Sequence, residues 1–276
     1  MSLNEPAASG GRNAARWSGA PSWYLWEGGF FVAGRSDGVV PPHAHHAIQI
    51  VIAFEGTVGI RGTRDADWRM AHGFAVQADV EHTYNANGAA GAMLFVDPES
   101  LEGVWLRSSS RAEITLVPSS RLDAVAGELR RFVEQPLEAL EIGALIKQCV
   151  RAVCTGAPPS RRLDERVTRV LTAIREADEL RMSIEDAAAT ACLSLSRFAH
   201  LFTQQVGLPF RRYMLWRKLA RAIVMIGRER NIGTAAHAAD FADAAHLTRT
   251  FYEMFGMPPS VMMRGEFFDI PSPFQP

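Results

Sequence analysis

Three cysteines, Cys149, Cys154 and Cys192, are all that the 276 residues contain. They are too few for the disulfide framework of a small secreted fold, and no CxxC pair suggests a structural zinc, so reduced thiols of a cytoplasmic protein are expected. Nowhere do eighteen apolar residues run together, which leaves no candidate membrane helix and no membrane partner. The opening stretch MSLNEPAASGGRNAARWSG lacks the apolar core of a signal peptide, and residues 1–20 read as a disordered leader. Net charge is scarce too. Lys and Arg total 29 against 30 acidic residues, a formal charge of -1 that names no polyanionic partner. Its distribution is less even: Arg161 to Arg264 hold 16 basic and 11 acidic residues, whereas the first 160 residues are net acidic. That asymmetry fits a nucleic-acid module joined to something else.

What is present divides by period. From Trp23 to Asp97, short apolar runs such as Phe30-Phe31-Val32, Ile48 to Phe54 and Met93 to Val96 are broken by Gly, Pro, Asp and Asn. Close-spaced strands of this kind predict a small antiparallel barrel or sandwich over 21–118. After Ser119 the period becomes three and four: Leu122, Val125, Leu129, Phe132 and Val133 predict an amphipathic helix. A second helix is expected after Pro136, with Leu137, Leu140, Leu145 and Val150 apolar. These two helices, 119–155, form a connector or dimerisation segment. The run from Thr155 to Arg162, with two prolines and two arginines, marks a linker at 156–165. The expected class is α+β: an antiparallel β-barrel with trailing helices, then an all-α domain at 166–264 and a tail at 265–276.

The all-α domain reads as one unit written twice. Ser183-Ile184-Glu185-Asp186 is an N-terminal signal for a helix of small residues, Ala187 to Ala191. Cys192-Leu193 makes a turn, and Ser194 is placed to cap a helix whose inner residues are Phe198, Leu201 and Phe202. Its outer face carries Ser196, Arg197, Ala199, His200 and Thr203, and Gly207 ends it. The grammar returns with Ala235-Ala236-His237-Ala238-Ala239, the turn Asp240-Phe241-Ala242, the cap Asp243, inner residues Leu247, Phe251 and Phe255, and Gly256. A long helix from Tyr213 to Ile223 joins the two. Such a pair can set two recognition helices into successive major-groove segments, roughly 34 Å apart.

The segments LSLSRFAHLFTQQVGLPFRRYMLWRKLARA and ADFADAAHLTRTFYEMFGMPPSVMM resemble the DNA-binding domain of the AraC/XylS transcription regulators. The resemblance implies that Ser196, Ala199 and His200 face bases and that Arg197 lies near phosphate. In the second unit it implies Ala244, Ala245 and Arg249 toward the groove, with Thr248 and Arg217 or Lys218 on the backbone. Arg249 is the best single candidate for direct readout, because arginine pairs bidentately with guanine. Asp240 stands where the family usually has glycine, so left-handed backbone and some strain are expected there.

In the N-terminal region Gly38, His43, His45, Gln49 and Gly56 make a G-x4-HxH-x3-Q-x6-G run that resembles the first cupin motif, with Gln49 where a ligating Glu is usual. His82 stands where the second motif places its histidine, without the usual PxG. Three imidazoles and an amide oxygen could hold one divalent ion such as Zn, Fe, Ni or Mn; the same histidines could instead line a metal-free polar pocket. Trp23, Trp26, Trp68 and Tyr84 are candidates to line an effector pocket, or simply to fill the core.

The leading expectation is a homodimeric, non-enzymatic regulator that binds double-stranded DNA. A small-molecule effector in the barrel would control it, and it would contact RNA polymerase if it activates. The family also commonly dimerises through helices after the barrel, for which the stripe Leu122, Val125, Leu129 and Phe132 is suited; packing on its own barrel is the alternative. A metal-dependent cupin enzyme, a dioxygenase or isomerase fused to a DNA module, stays open on His43, His45, Gln49 and His82 alone.

Overall fold

The computed structural model describes residues 16–18, 21–26, 28–63, 67–135, 137–157 and 163–270. Most of the expected leader, and the proline-arginine centre of the expected linker, lie outside these residues. The N-terminal part opens with β1 (Arg16–Trp17), β2 (Ser22–Trp26), β3 (Gly29–Asp37), β4 (Val39–His43) and β5 (Ile48–Glu55). It continues through β6 (Val58–Gly62), β7 (Arg69–Ala71), β8 (Gly73–Val76), β9 (His82–Asn85) and β10 (Ala90–Val96). Helix α1 (Leu101–Ser109) and β11 (Ile114–Leu116) precede α2 (Ser119–Glu134) and α3 (Ala139–Val153). Within the leader expected to be disordered, Arg16 and Trp17 pair with Asp37 and Ser36.

The expected closed barrel is instead two sheets among the described residues. The larger runs β11-β8-β5-β10-β3-β2, with β1 beside β3; the smaller runs β4-β9-β6-β7. Pro41 and Pro42 deprive β4 of two N–H donors, and its register with β9 shifts between Val40 and His43. Prolines belong on edge strands, and β4 is accordingly an edge of the small sheet.

Strand alternation builds two cores at once, because successive side chains leave opposite faces. Phe31 of β3, Ile48, Ile50 and Ile52 of β5 and Leu94 of β10 pack outward against α2 and α3. Phe30, Val32, Val51, Met93 and Phe95 face the other way, between the sheets. Leu122, Val125, Leu129 and Phe132 are all buried in the outer core. The stripe considered for dimerisation is thus spent on the chain's own sheet. Of the apolar residues noted for α3, Leu145 and Val150 are buried, together with Ile142, Ile146 and Cys149, whereas Leu140 is 81% exposed.

The C-terminal helices are α4 (Glu165–Glu176), α5 (Ile184–Thr190), α6 (Leu195–Val206), α7 (Phe210–Glu229), α8 (Ile232–Ala238) and α9 (Ala244–Phe255). A 3-10 turn (Pro259–Arg264) leads to β12 (Glu266–Asp269). Within the expected tail, whose residues 271–276 lie outside the described residues, β12 pairs in parallel with β2 and covers the edge of the large sheet. Phe267 stacks on Trp23 and Phe268 on Tyr24, with centroids 6.1 and 5.1 Å apart. The inner core of the sheets runs without a break into that of the C-terminal helices. No helix among the described residues is long and apolar enough to cross a membrane.

Candidate nucleic-acid interface and histidine cluster

Each C-terminal unit is a pair of short helices around a tight turn. In the first, Ser183 and Asp186 cap α5 reciprocally: Ser183 Oγ accepts from Asp186 N at 3.1 Å and Asp186 Oδ2 from Ser183 N at 3.3 Å. Ala187 and Ala188 are buried, so their small side chains let α5 approach its neighbours closely. Cys192 turns the chain at φ 55. Ser194 occupies the N-cap of α6 but makes no side-chain cap bond, contrary to expectation. Phe198, Phe202 and Val206 anchor the helix from below. Ser196, Arg197, His200 and Thr203 are exposed on its outer face, with Ala199 partly so.

The second unit repeats the geometry. Asp243 Oδ1 accepts from His246 N at 2.6 Å, and Leu247, Phe251 and Phe255 form the inner face of α9. Ala245 and Arg249 are exposed, whereas Ala244 and Thr248 are half-buried. Asp240 has φ 58, as its left-handed position required. Its carboxylate accepts from Leu180 N at 2.9 Å and Arg181 Nε at 2.8 Å, which ties the second turn to the loop before α5. Between the units α7 runs for 20 residues, about 30 Å at 1.5 Å per residue.

Two expected backbone contacts are engaged inside the protein. Arg217 pairs with Asp97 at 3.3 Å, just beyond β10, and Trp216 Nε1 donates to the same carboxylate at 3.3 Å. Lys218 donates to the Asp240 carbonyl at 3.0 Å. Both side chains are half-buried on α7 and hold the domains and units together in this arrangement.

In the N-terminal domain the structure brings His43, His45, His82 and Gln49 together, all buried. His43 ends β4, His82 begins β9 opposite it, Gln49 lies on β5, and His45 sits in the connection rather than on a strand. Burial holds the His43 imidazole down to about 3, and burial likewise lowers His45 and His82, the latter further through its histidine neighbours. Their neighbour His46 behaves oppositely. Burial disfavours its charge, but hydrogen bonds of 2.8 Å to Asp79 and Glu99 raise it to about 9. His46 also meets Tyr213 and Trp216 of α7 edge-on. Nothing in the sequence spacing pointed to this, because His46 and α7 lie in different domains, far apart in the chain.

The cavity beside the histidines is small, about 20 Å³, and is closed by Phe255 and Met257. A larger cleft of about 670 Å³ lies between the large sheet and the C-terminal helices. Of the aromatic residues proposed for one pocket, Trp26 lines this cleft, Tyr84 lines the small cavity, and Trp68 packs under Arg61 on β6. Trp23 is core, stacked on Phe267. The proposed pocket is therefore split among separate places.

Comparison with known proteins agrees with this geometry. Residues 187–265 match the family model described as a helix-turn-helix domain. The chain is 22% identical over 233 residues to the probable transcriptional regulator LumQ of Photobacterium leiognathi, covering 82% of this chain and 92% of LumQ. Its fold resembles ToxT of Vibrio cholerae, with a TM-score of 0.55 at 10% identity, over 86% of this chain and 99% of ToxT. A ToxT structure with a bound unsaturated fatty acid aligns with a TM-score of 0.51 at 8% identity, over 91% and 93% of the two chains. Residues 187–265, which hold most of the paired units, thus form a helix-turn-helix domain by family likeness as well as by geometry.

Proposed function

We propose that the chain is a ligand-responsive transcription regulator that grips operator DNA with α6 and α9 and is controlled by its N-terminal domain. One observation carries the reading: two matched helices, each anchored by buried phenylalanines, offer exposed outer faces and are joined by a helix of about 30 Å. That length suits the roughly 34 Å repeat of the major groove. Ser196, Ala199, His200, Ala244, Ala245 and Arg249 then face base edges, while Arg197, Thr203 and Thr248 lie toward the backbone. Arg217 and Lys218 would reach DNA only after leaving Asp97 and the Asp240 carbonyl. Small residues at several reading positions leave Arg249 as the main source of base preference.

The interdomain cleft is the space for an organic effector. Trp26, Phe30, Phe95 and Trp216 supply apolar walls, while arginines such as Arg175 and Arg221 and acids such as Asp97 and Glu176 share the lining, a composition suited to an organic molecule with both apolar and polar groups. A ligand there touches both domains and can therefore favour one docking arrangement over another. The enzyme reading needs room for a substrate at the histidines, and about 20 Å³ is the space of one water or ion. Homodimerisation and contact with RNA polymerase belong to the regulator reading. A dimer would use the outward faces of α2 and α3, where Val133 and Leu140 are exposed.

The test is enrichment of duplexes from a random pool by the full chain. Reproducible recovery of a sequence motif supports the reading; recovery of no motif at moderate salt refutes it.

A further inference from the structure

The hydrogen bonds around the histidine cluster define the direction of each ring. His43 Nδ1 lies 2.8 Å from Pro41 O, His45 Nδ1 2.9 Å from Ala47 O, and His82 Nδ1 2.9 Å from Val80 O. A carbonyl oxygen only accepts, so each Nδ1 carries the ring proton and each Nε2 of a neutral ring keeps its lone pair. Outer nitrogens donated to carbonyls, with inner nitrogens left bare, are how proteins orient imidazoles for a metal. A ring nitrogen from each of the three lies within 4.8 Å of the other two. Metal–nitrogen bonds of about 2.1 Å would draw the rings slightly together.

Gln49 sharpens the point. Its Oε1 lies 3.1 Å from His45 Nε2 and 2.9 Å from His82 Nε2, an acceptor facing two acceptors. A cation among them removes the conflict. The competing solution is a turned amide, which donates one N–H to each imidazole. A small cavity of about 20 Å³ adjoins His43 and Gln49.

The wall of this site belongs to the DNA-binding domain. Phe255 stacks over His45 with centroids 5.7 Å apart. Gly256 lies so close that a Cβ would meet Val40 Cγ1 at 2.6 Å, Pro41 O at 3.1 Å and His43 Nδ1 at 3.3 Å. We propose that His43, His45 and His82, with Gln49 Oε1 as a fourth donor, bind one divalent transition-metal ion, and that Phe255 and Gly256 seal it, so that ion binding and docking of α9 are linked. Imidazole donors without a carboxylate suit Zn(II), Ni(II) or Fe(II) better than Mg(II) or Ca(II). The link to DNA rests on the regulator reading; the ion site does not.

The experiment uses the full chain, stripped of metal and titrated with Zn(II) and Co(II). One equivalent per chain by elemental analysis, with visible Co(II) bands of a nitrogen-ligated ion, is expected. His45→Asn and His82→Asn should each abolish both. Absence of stoichiometric ion, or its retention in both variants, overturns the site in favour of the turned Gln49 amide. For the link, Gly256→Ala should alter Zn(II) affinity by about tenfold, a typical coupling, and Zn(II) should alter DNA affinity by the factor that DNA alters Zn(II) affinity. Unchanged Zn(II) affinity in Gly256→Ala overturns the link. Phe255→Leu is read the same way if Gly256→Ala does not fold. DNA affinity that is equal with and without Zn(II) leaves the regulator reading standing and sinks only the link.

Discussion

The two helix-turn-helix units share their internal hydrogen bonds and differ in what surrounds them. Leu193 N donates to Ala188 O and Phe241 N to Ala236 O, both at 2.9 Å. Each turn holds one left-handed non-glycine residue, Cys192 or Asp240, and each recognition helix ends at a left-handed glycine, Gly207 or Gly256. Around Gly207, however, a Cβ would meet nothing within 4 Å, whereas Gly256 is pressed against β4. Phe255 likewise packs on Phe30, Phe95 and His45 of the N-terminal domain. The first unit is shaped by its own domain; the second is seated on the N-terminal domain. A change in the N-terminal domain therefore has its most direct path to DNA through α9.

Substitutions at matched positions should break this asymmetry or sharpen it. Phe255→Ala removes a buried ring shared by both domains and should lower stability by about 3–5 kcal/mol in urea unfolding. The matching Val206→Ala should cost about 2 kcal/mol and leave the N-terminal domain's protection from proteases unchanged. Equal costs, or equal effects on the N-terminal domain, would contradict the seating of the second unit.

On DNA, Arg249→Ala should weaken specific binding by about 1–3 kcal/mol and relax preference at one base pair. Arg197→Ala should weaken binding alike on all sequences and reduce its salt dependence. If Arg249→Ala behaves in that second way, it contacts phosphate rather than a base.

The turns should respond with opposite signs. Asp240→Gly relieves left-handed strain but strips Leu180 N and Arg181 of their acceptor, so a net loss of about 1 kcal/mol is expected. Cys192 is exposed and its principal cost is its backbone conformation. Cys192→Gly should therefore raise stability by about 0.5 kcal/mol. Thermal unfolding of the two variants measures both, and shifts of the same sign would remove this distinction.

Much of this architecture was legible in the sequence because it depends on local signals. Short apolar runs broken by turn residues marked β3, β5 and β10, and the caps Ser183 and Asp243 and the glycines Gly207 and Gly256 marked the helix pairs. The spacing of His43, His45, Gln49 and His82 identified the cluster that the fold assembles. What the sequence did not reveal depends on long-range contact. The tail looked like a terminus, yet Glu266–Asp269 completes a sheet begun at β2, because an open edge beside Trp23 and Tyr24 was available to cover. Arg217 and Lys218 looked like surface cations; the carboxylate of Asp97 beyond β10 engages the first and the Asp240 carbonyl of the second unit engages the other. The barrel stayed open because the prolines of β4 end the small sheet, a consequence of pairing that periodicity alone does not specify.

The central claim is that both recognition helices address one face of the same duplex. Selection from random DNA by the full chain, followed by hydroxyl-radical footprinting of the recovered site, tests it most directly. The account predicts a bipartite motif with two protected segments one helical turn, about 10 base pairs, apart on one face. A single continuous block, or protection on opposite faces, would contradict it.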